Sequence, residues 1–253
     1  MTTENSRDRL AGLLYLVVVV AGTFSLGYVP SQVTVPEDPA ATVANIVAAE
    51  TLFRWGLAGF VVMQVAFLLL PLALYRLFRN VDRPAAVLMV ALALASVPIG
   101  LVGLTHKIDA LELLTDPAFG AAYASPQLQA EAMAALLSYG NTVLMASVFW
   151  GLWLIPFGYL VVKSGAVPRV LGVLLMLGGV GYTVDLFGDL LVPGYSGTLL
   201  ARYATLPASA GEILTCLWLL LVGARLARSG VSVFSSLSSS ELISLIGVAW
   251  APT

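Results

Sequence analysis

Charge along this chain is almost confined to the gaps between six long apolar stretches. At about 1.5 Å of helical rise per residue, each stretch can cross a hydrocarbon layer of about 30 Å. The pattern predicts helices over about 10–29, 51–78, 84–108, 127–162, 169–191 and 205–226, with 136–162 as the crossing part of the fourth. A helix over 127–162 is about 54 Å long, so its first turns are expected to project past the hydrocarbon. The punctuation agrees. Asp38-Pro39 and Ser125-Pro126 each combine a capping side chain with a proline suited to a first helical turn. Val43, Ile46 and Val47 then share one helical face, which predicts a short helix lying at the membrane interface. Lys163-Ser164-Gly165 ends the fourth helix. Residues 231–253 are Ser-rich and then briefly apolar; Leu242 to Trp250 is too short to span. The expected organisation is one six-helix transmembrane domain over 1–230 and a C-terminal tail over 231–253, dispensable for folding.

Composition turns this pattern into a statement about solvent. Hydrophobic residues make up 59% of the chain and charged residues 10%, and the mean hydropathy is +0.95. A soluble fold of this length cannot hide that much apolar surface, so lipid must face most of it. The expected class is an all-α integral membrane bundle of six transmembrane helices. The first run, Leu10 to Val29, is longer than a signal-peptide core and no A-x-A-like site follows, so it reads as a retained helix. With the N-terminus in the cytoplasm, Arg7, Arg9, Arg76, Arg79, Arg83, Lys163, Arg169, Arg225 and Arg228 are all cytoplasmic, against Arg54, Lys107 and Arg202 outside. That bias places both termini in the cytoplasm.

Counting residues removes several chemistries. The net charge of −2 gives no basic field for nucleic acid. Cys216 is the single cysteine and His106 the single histidine. A disulfide within the chain, a cysteine-based or multi-histidine zinc site and bis-histidine haem ligation all fail on number. No GxSxG elbow, Walker loop or GxGxxG fingerprint is present. No cofactor is expected.

Several strings along the chain belong together: Ala49-Glu50-Thr51-Leu52-Phe53-Arg54, Tyr139-Gly140, Ser164-Gly165-Ala166-Val167-Pro168-Arg169-Val170-Leu171-Gly172, Gly181-Tyr182 with Asp185, Gly211-Glu212 and Leu217-Trp218-Leu219-Leu220. With these the chain resembles the bacterial and archaeal membrane proteins grouped as domain of unknown function 4386, over roughly 7–228. The resemblance implies six helices and points to the same polar positions, but it brings no activity. Members often carry a histidine just before the Tyr-Gly of helix 4. Here Leu136-Leu137-Ser138 stands there, so no ligating or catalytic role transfers to that place.

Ionisable groups inside a membrane are costly and are therefore candidates for function. Counted from the cytoplasmic helix ends, Gln64 lies about 18 Å up, Glu212 about 20 Å, Tyr182 and Asp185 about 21–26 Å, and Asp189 about 32 Å. Asp185 and Asp189 share a face, and Tyr182 joins them. These five residues predict an outward-facing acidic pocket between helices 2, 3, 5 and 6 for a small polar ligand or a cation. Glu50 and Arg54, at i,i+4, are expected to form a structural ion pair, with Arg54 also within reach of the helix 5 and 6 acids. His106, beside Lys107, reads as a solvated boundary residue. Gly172, Gly178, Gly179, Gly181 and Gly188 crowd helix 5, where they allow close packing or a broken helix beside the acids. Three classes stay open: a small carrier or ligand-binding protein, an intramembrane enzyme using carboxylates for acid/base or metal chemistry, and a non-catalytic protein that modulates partners or the envelope. The composition leaves the oligomeric state open.

Overall fold

The computed structural model describes residues 3–223. Arg225, Arg228 and the 231–253 tail lie outside the described residues. Among the described residues ten α-helices follow in chain order: α1 (Thr3–Gly22), α2 (Val29–Val33), α3 (Pro39–Ala48), α4 (Glu50–Phe78), α5 (Arg83–Thr115), α6 (Pro117–Ala122), α7 (Ser125–Ser164), α8 (Arg169–Leu191), α9 (Leu199–Tyr203) and α10 (Leu206–Leu221). A π-helical stretch, Thr23–Tyr28, joins α1 to α2 without ending the span. Six segments are long and apolar enough to cross a membrane: Arg9–Val33, Glu50–Phe78, Arg83–Thr115, Ser125–Ser164, Arg169–Leu191 and Leu199–Leu221.

Short links dictate the packing. Four residues connect α4 to α5, and four connect α7 to α8, so each pair folds back as an antiparallel hairpin. Asp82 caps α5 by accepting from the Ala85 amide at 3.1 Å. Gly165 takes φ +63° after α7, a conformation that costs glycine little. Packing runs α1–α4–α5–α7–α8–α10 and returns from α10 to α1. Six spans therefore close into a ring, and the start of α1 meets the end of α10: the Cys216 Sγ donates to the Gly12 carbonyl at 3.7 Å.

One end of the ring is filled by rings and aliphatic chains. Trp153 and Phe157 stack at 5.2 Å between centroids. Phe67 meets Trp153 edge-on at 5.3 Å, and Phe78 meets Phe157 at 6.1 Å. Leu70, Leu74, Leu154 and Leu160 fill the space around them, fully buried. Outside, Val102, Leu177, Val180 and Leu191 stay exposed, as an apolar coat needs to be when its solvent is lipid. At the same end Asp82 Oδ2 accepts from Lys163 Nζ at 2.7 Å and from the Tyr159 hydroxyl at 3.1 Å, tying the two hairpins together. The Lys163 hydrogen bond, with the Ala85 amide behind it, holds the Asp82 carboxyl below the usual carboxylate range.

Two expectations need correction and two are sharpened. α3 does begin at Pro39, and Asp38 Oδ1 accepts from the Ala41 amide at 2.9 Å. Part of its apolar face meets protein: Val43 and Ile46 are buried, Ile46 clusters with Val33, Phe53 and Leu111, and Val47 stays exposed. Ser125 does not cap α7; Ala124 precedes the helix with no side-chain cap. Of the two readings open for the glycines of the fifth span, close packing holds: α8 runs through them without interruption. α5 likewise continues through Pro98 to Thr115, beyond the expected end, and packs along the long first half of α7.

Candidate functional site

An unbroken α8 fixes the geometry of the acids. Gly179 lies so close to α7 that a Cβ there would stand 2.6 Å from the Gly151 carbonyl oxygen, while Gly178 abuts Ala208 of α10. With α8 wedged between those two helices, Tyr182, Asp185 and Asp189 fall on one face. They line a cavity of about 790 Å³ with Asn141, Ser147 and Trp150 of α7, Tyr195 of the following turn, and Arg202 of α9. The Tyr195 ring sits on Gly188. Its burial, and then the Asp185 charge, push the phenol upward. Among the described residues neither aspartate has a cationic side chain within 4.0 Å.

Glu212 and Gln64 open into a second, smaller cavity of about 290 Å³. Five of the six spans contribute to it. Tyr15, Val18 and the irregular stretch at Thr23 and Leu26 come from the first, Met63, Gln64 and Phe67 from α4, and Trp150 and Trp153 from α7. Tyr182 of α8 and Ser209, Glu212 and Ile213 of α10 close it. The Tyr15 hydroxyl donates to Glu212 Oε1 at 3.1 Å. Gln64 is fully buried, and its Nε2 donates to the Val97 carbonyl at 3.1 Å. Its Oε1 has no partner among the described residues. A buried amide oxygen left this way carries a desolvation cost of about 1–3 kcal/mol. Tyr182 and Trp150 line both cavities and form the wall between them.

The five candidates thus divide: Asp185 and Asp189 face the larger cavity, Glu212 and Gln64 the smaller, and Tyr182 both. The surrounding helices also differ from the expected 2, 3, 5 and 6. Helix 3 contributes nothing to either cavity, whereas helices 1 and 4 supply Tyr15, Trp150 and Trp153. Tyr15 was the available signal, because a phenol within an apolar span needs a partner for its hydroxyl. No group of three or more His, Cys, Asp or Glu residues is placed to hold a metal ion among the described residues. Arg54 stands apart from both cavities and donates from Nε to Glu50 Oε1 at 2.7 Å, with both side chains substantially exposed. His106 Nδ1 lies 3.9 Å from Asp109 Oδ2. Its neighbour Lys107 lays its amine over the Tyr139 ring at 4.2 Å and nearer that ring than Phe53, at 5.7 Å.

Six apolar spans packed into a closed bundle define a multi-pass membrane protein. The chain belongs to the family described as Domain of unknown function (DUF4386), whose model matches residues 10–223. Neither the curated proteins nor the solved structures include a match to it.

Proposed function

We propose that the protein is a small carrier or ligand-binding protein of the cytoplasmic membrane, which takes a small polar cation into the outward-facing pocket of Asp185 and Asp189. The observation that carries this reading is the cavity of about 790 Å³ in which two aspartates outnumber the one lining cation, Arg202, and neither has a cationic partner within 4.0 Å among the described residues. Carboxylates kept unpaired beside a cavity favour a ligand that brings the missing charge. Trp150, Tyr182 and Tyr195 add rings that attract cations. A carboxylate-based enzyme has less support, since Glu212 opens into a different cavity from the aspartates.

Choline is a suitable probe. Thermal unfolding of the purified full chain in detergent should shift upward with choline, and Asp185→Asn with Asp189→Asn should weaken that binding by roughly tenfold or more. Equal choline binding by the double variant, or none by the wild type, refutes the reading. Orientation is tested separately. Asp116→Cys should react with an impermeant thiol reagent from outside intact cells and Arg79→Cys only after permeabilisation. Outside labelling of Arg79→Cys would reverse the topology and turn the pocket inward.

A further inference from the structure

Of the two cavities, the smaller holds the group hardest to explain by packing. Gln64 is fully buried, lines this cavity and donates one hydrogen bond, yet its carbonyl oxygen has no donor among the described residues. Nor can the side chain easily turn away, because Gly100 of α5 lies directly against Gln64 Nε2, where even a Cβ would collide. The same cavity presents Glu212, whose Oε1 accepts a hydrogen bond from the Tyr15 hydroxyl. The remaining lining is largely aromatic: Phe67, Trp150, Trp153 and Tyr182. Carboxylate, free amide oxygen and ring faces converge on one chemistry. The carboxylate asks for a positive charge, the amide oxygen for an N–H or O–H donor, and the rings for an organic cation rather than a hydrated inorganic one. The fold already seats one ammonium on rings, that of Lys107 over Tyr139 and Phe53.

We infer that the smaller cavity is a binding site for a primary ammonium ion carrying a compact apolar group, with Glu212 as counter-charge, Gln64 Oε1 as hydrogen-bond acceptor and the Trp150–Trp153 side as the apolar wall. This deepens the ligand-binding reading by naming a ligand class, and it rests on that reading. A quaternary ammonium without a hydroxyl offers neither N–H nor O–H to Gln64, so comparing it with a primary ammonium isolates the contribution of the amide oxygen.

The test uses benzylammonium against benzyl alcohol, its neutral counterpart, on the purified full chain, read by tryptophan fluorescence and thermal shift. In the wild type benzylammonium should perturb the fluorescence and raise the unfolding temperature at concentrations where benzyl alcohol does neither. That comparison needs no variant and so is immune to misfolding. Glu212→Gln keeps shape and the oxygen that accepts from Tyr15; it should weaken benzylammonium binding by roughly tenfold or more. Gln64→Leu should weaken it by about threefold to tenfold and leave N,N,N-trimethylbenzylammonium, which has no N–H, nearly unchanged. Equal responses to benzylammonium and benzyl alcohol would overturn the assignment. So would a full response to sodium chloride alone, or unaltered benzylammonium binding by Glu212→Gln. Should choline binding still depend on Asp185 while benzylammonium ignores Glu212, the larger pocket stands and this inference falls. The reverse outcome leaves this site and removes the larger one.

Discussion

The two ends of the bundle are built on different terms. At the end carrying Arg79 and Lys163, Trp153, Phe157, Phe78 and Leu74 are buried and fill the ring, and the Asp82 carboxylate is hydrogen-bonded by Lys163, Tyr159 and the Ala85 amide. Toward the other end the same spans part around two cavities, the first span passes through a π-helical stretch, and Gln64 and Tyr195 keep buried oxygens without partners among the described residues. Close packing with every polar group satisfied is what stability alone selects. Buried polar atoms without partners among the described residues also occur on α10, at Thr215 and at Trp218 against the packed core, so the cavities and the π-helical stretch distinguish the other end, and such departures coincide with function more often than chance. Trp153 is the hinge of the comparison: it belongs to the aromatic core and also lines the smaller cavity.

The difference can be broken by substitution, and the packed end should yield the largest effects. Trp153→Ala removes a ring that is 1% exposed and touches Phe67, Phe157 and Tyr15. It should cost about 3–5 kcal/mol, measured by unfolding in mixed detergent micelles. A cost below about 1 kcal/mol would mean that the core is looser than its geometry, and the contrast between the ends would dissolve. Next in size is Gly100→Ala, whose new methyl displaces Gln64. That change should cost about 1–3 kcal/mol and should also weaken benzylammonium binding, because the amide oxygen moves with the side chain. Stability lost with binding intact would show that Gln64 is merely packed.

How much of this was legible in the sequence follows from the same contrast. Span number and the Asp38-Pro39 helix start were readable because each depends on local pattern: an apolar run of sufficient length, or a cap beside a proline. The closure of α10 onto α1 was not, because it depends on which faces meet, and helices apolar all round carry little facial signal. Asp185 and Asp189 were recognisable as one face by their spacing. The separation of Glu212 from them was hidden, since it arises from Tyr182 and Trp150 standing between two cavities, a property of three helices together. The glycines of α8 illustrate the ambiguity directly: the same residues permit a break or a close approach, and contact with Gly151 and Ala208 decides for approach.

A smaller effect should be found at the tie between the hairpins. The Asp82 carboxyl titrates below its ordinary value of 3.8 because Lys163 donates to it. A group lowered in the folded state adds stability that is present above its ordinary value and is lost as pH falls through the lowered one. Asp82→Asn should therefore leave a flatter dependence of stability on pH in the acid range below about 4, with little change in ligand binding. An unchanged acid limb in pH-dependent unfolding would remove the tie from the list of differences between the ends.

The smallest expected effect tests the independence of the cavities most directly. Arg54 and Glu50 are 57% and 40% exposed at their side chains, and a pair so placed is worth about 0.3–0.5 kcal/mol at most. Arg54→Gln should change stability by no more than that. The sharper measurement is a double-mutant cycle pairing Arg54→Gln with Asp185→Asn and, separately, with Glu212→Gln. With Arg54 held by Glu50 at 2.7 Å, each cycle should close to within about 0.3–0.5 kcal/mol. A coupling above about 1 kcal/mol would make Arg54 the counter-charge of an acid it does not touch in this structure. The carboxylate concerned would then be part of the structural network, its cavity would have no charge left to offer a cation, and the two ends of the bundle would be alike in how they satisfy their ions.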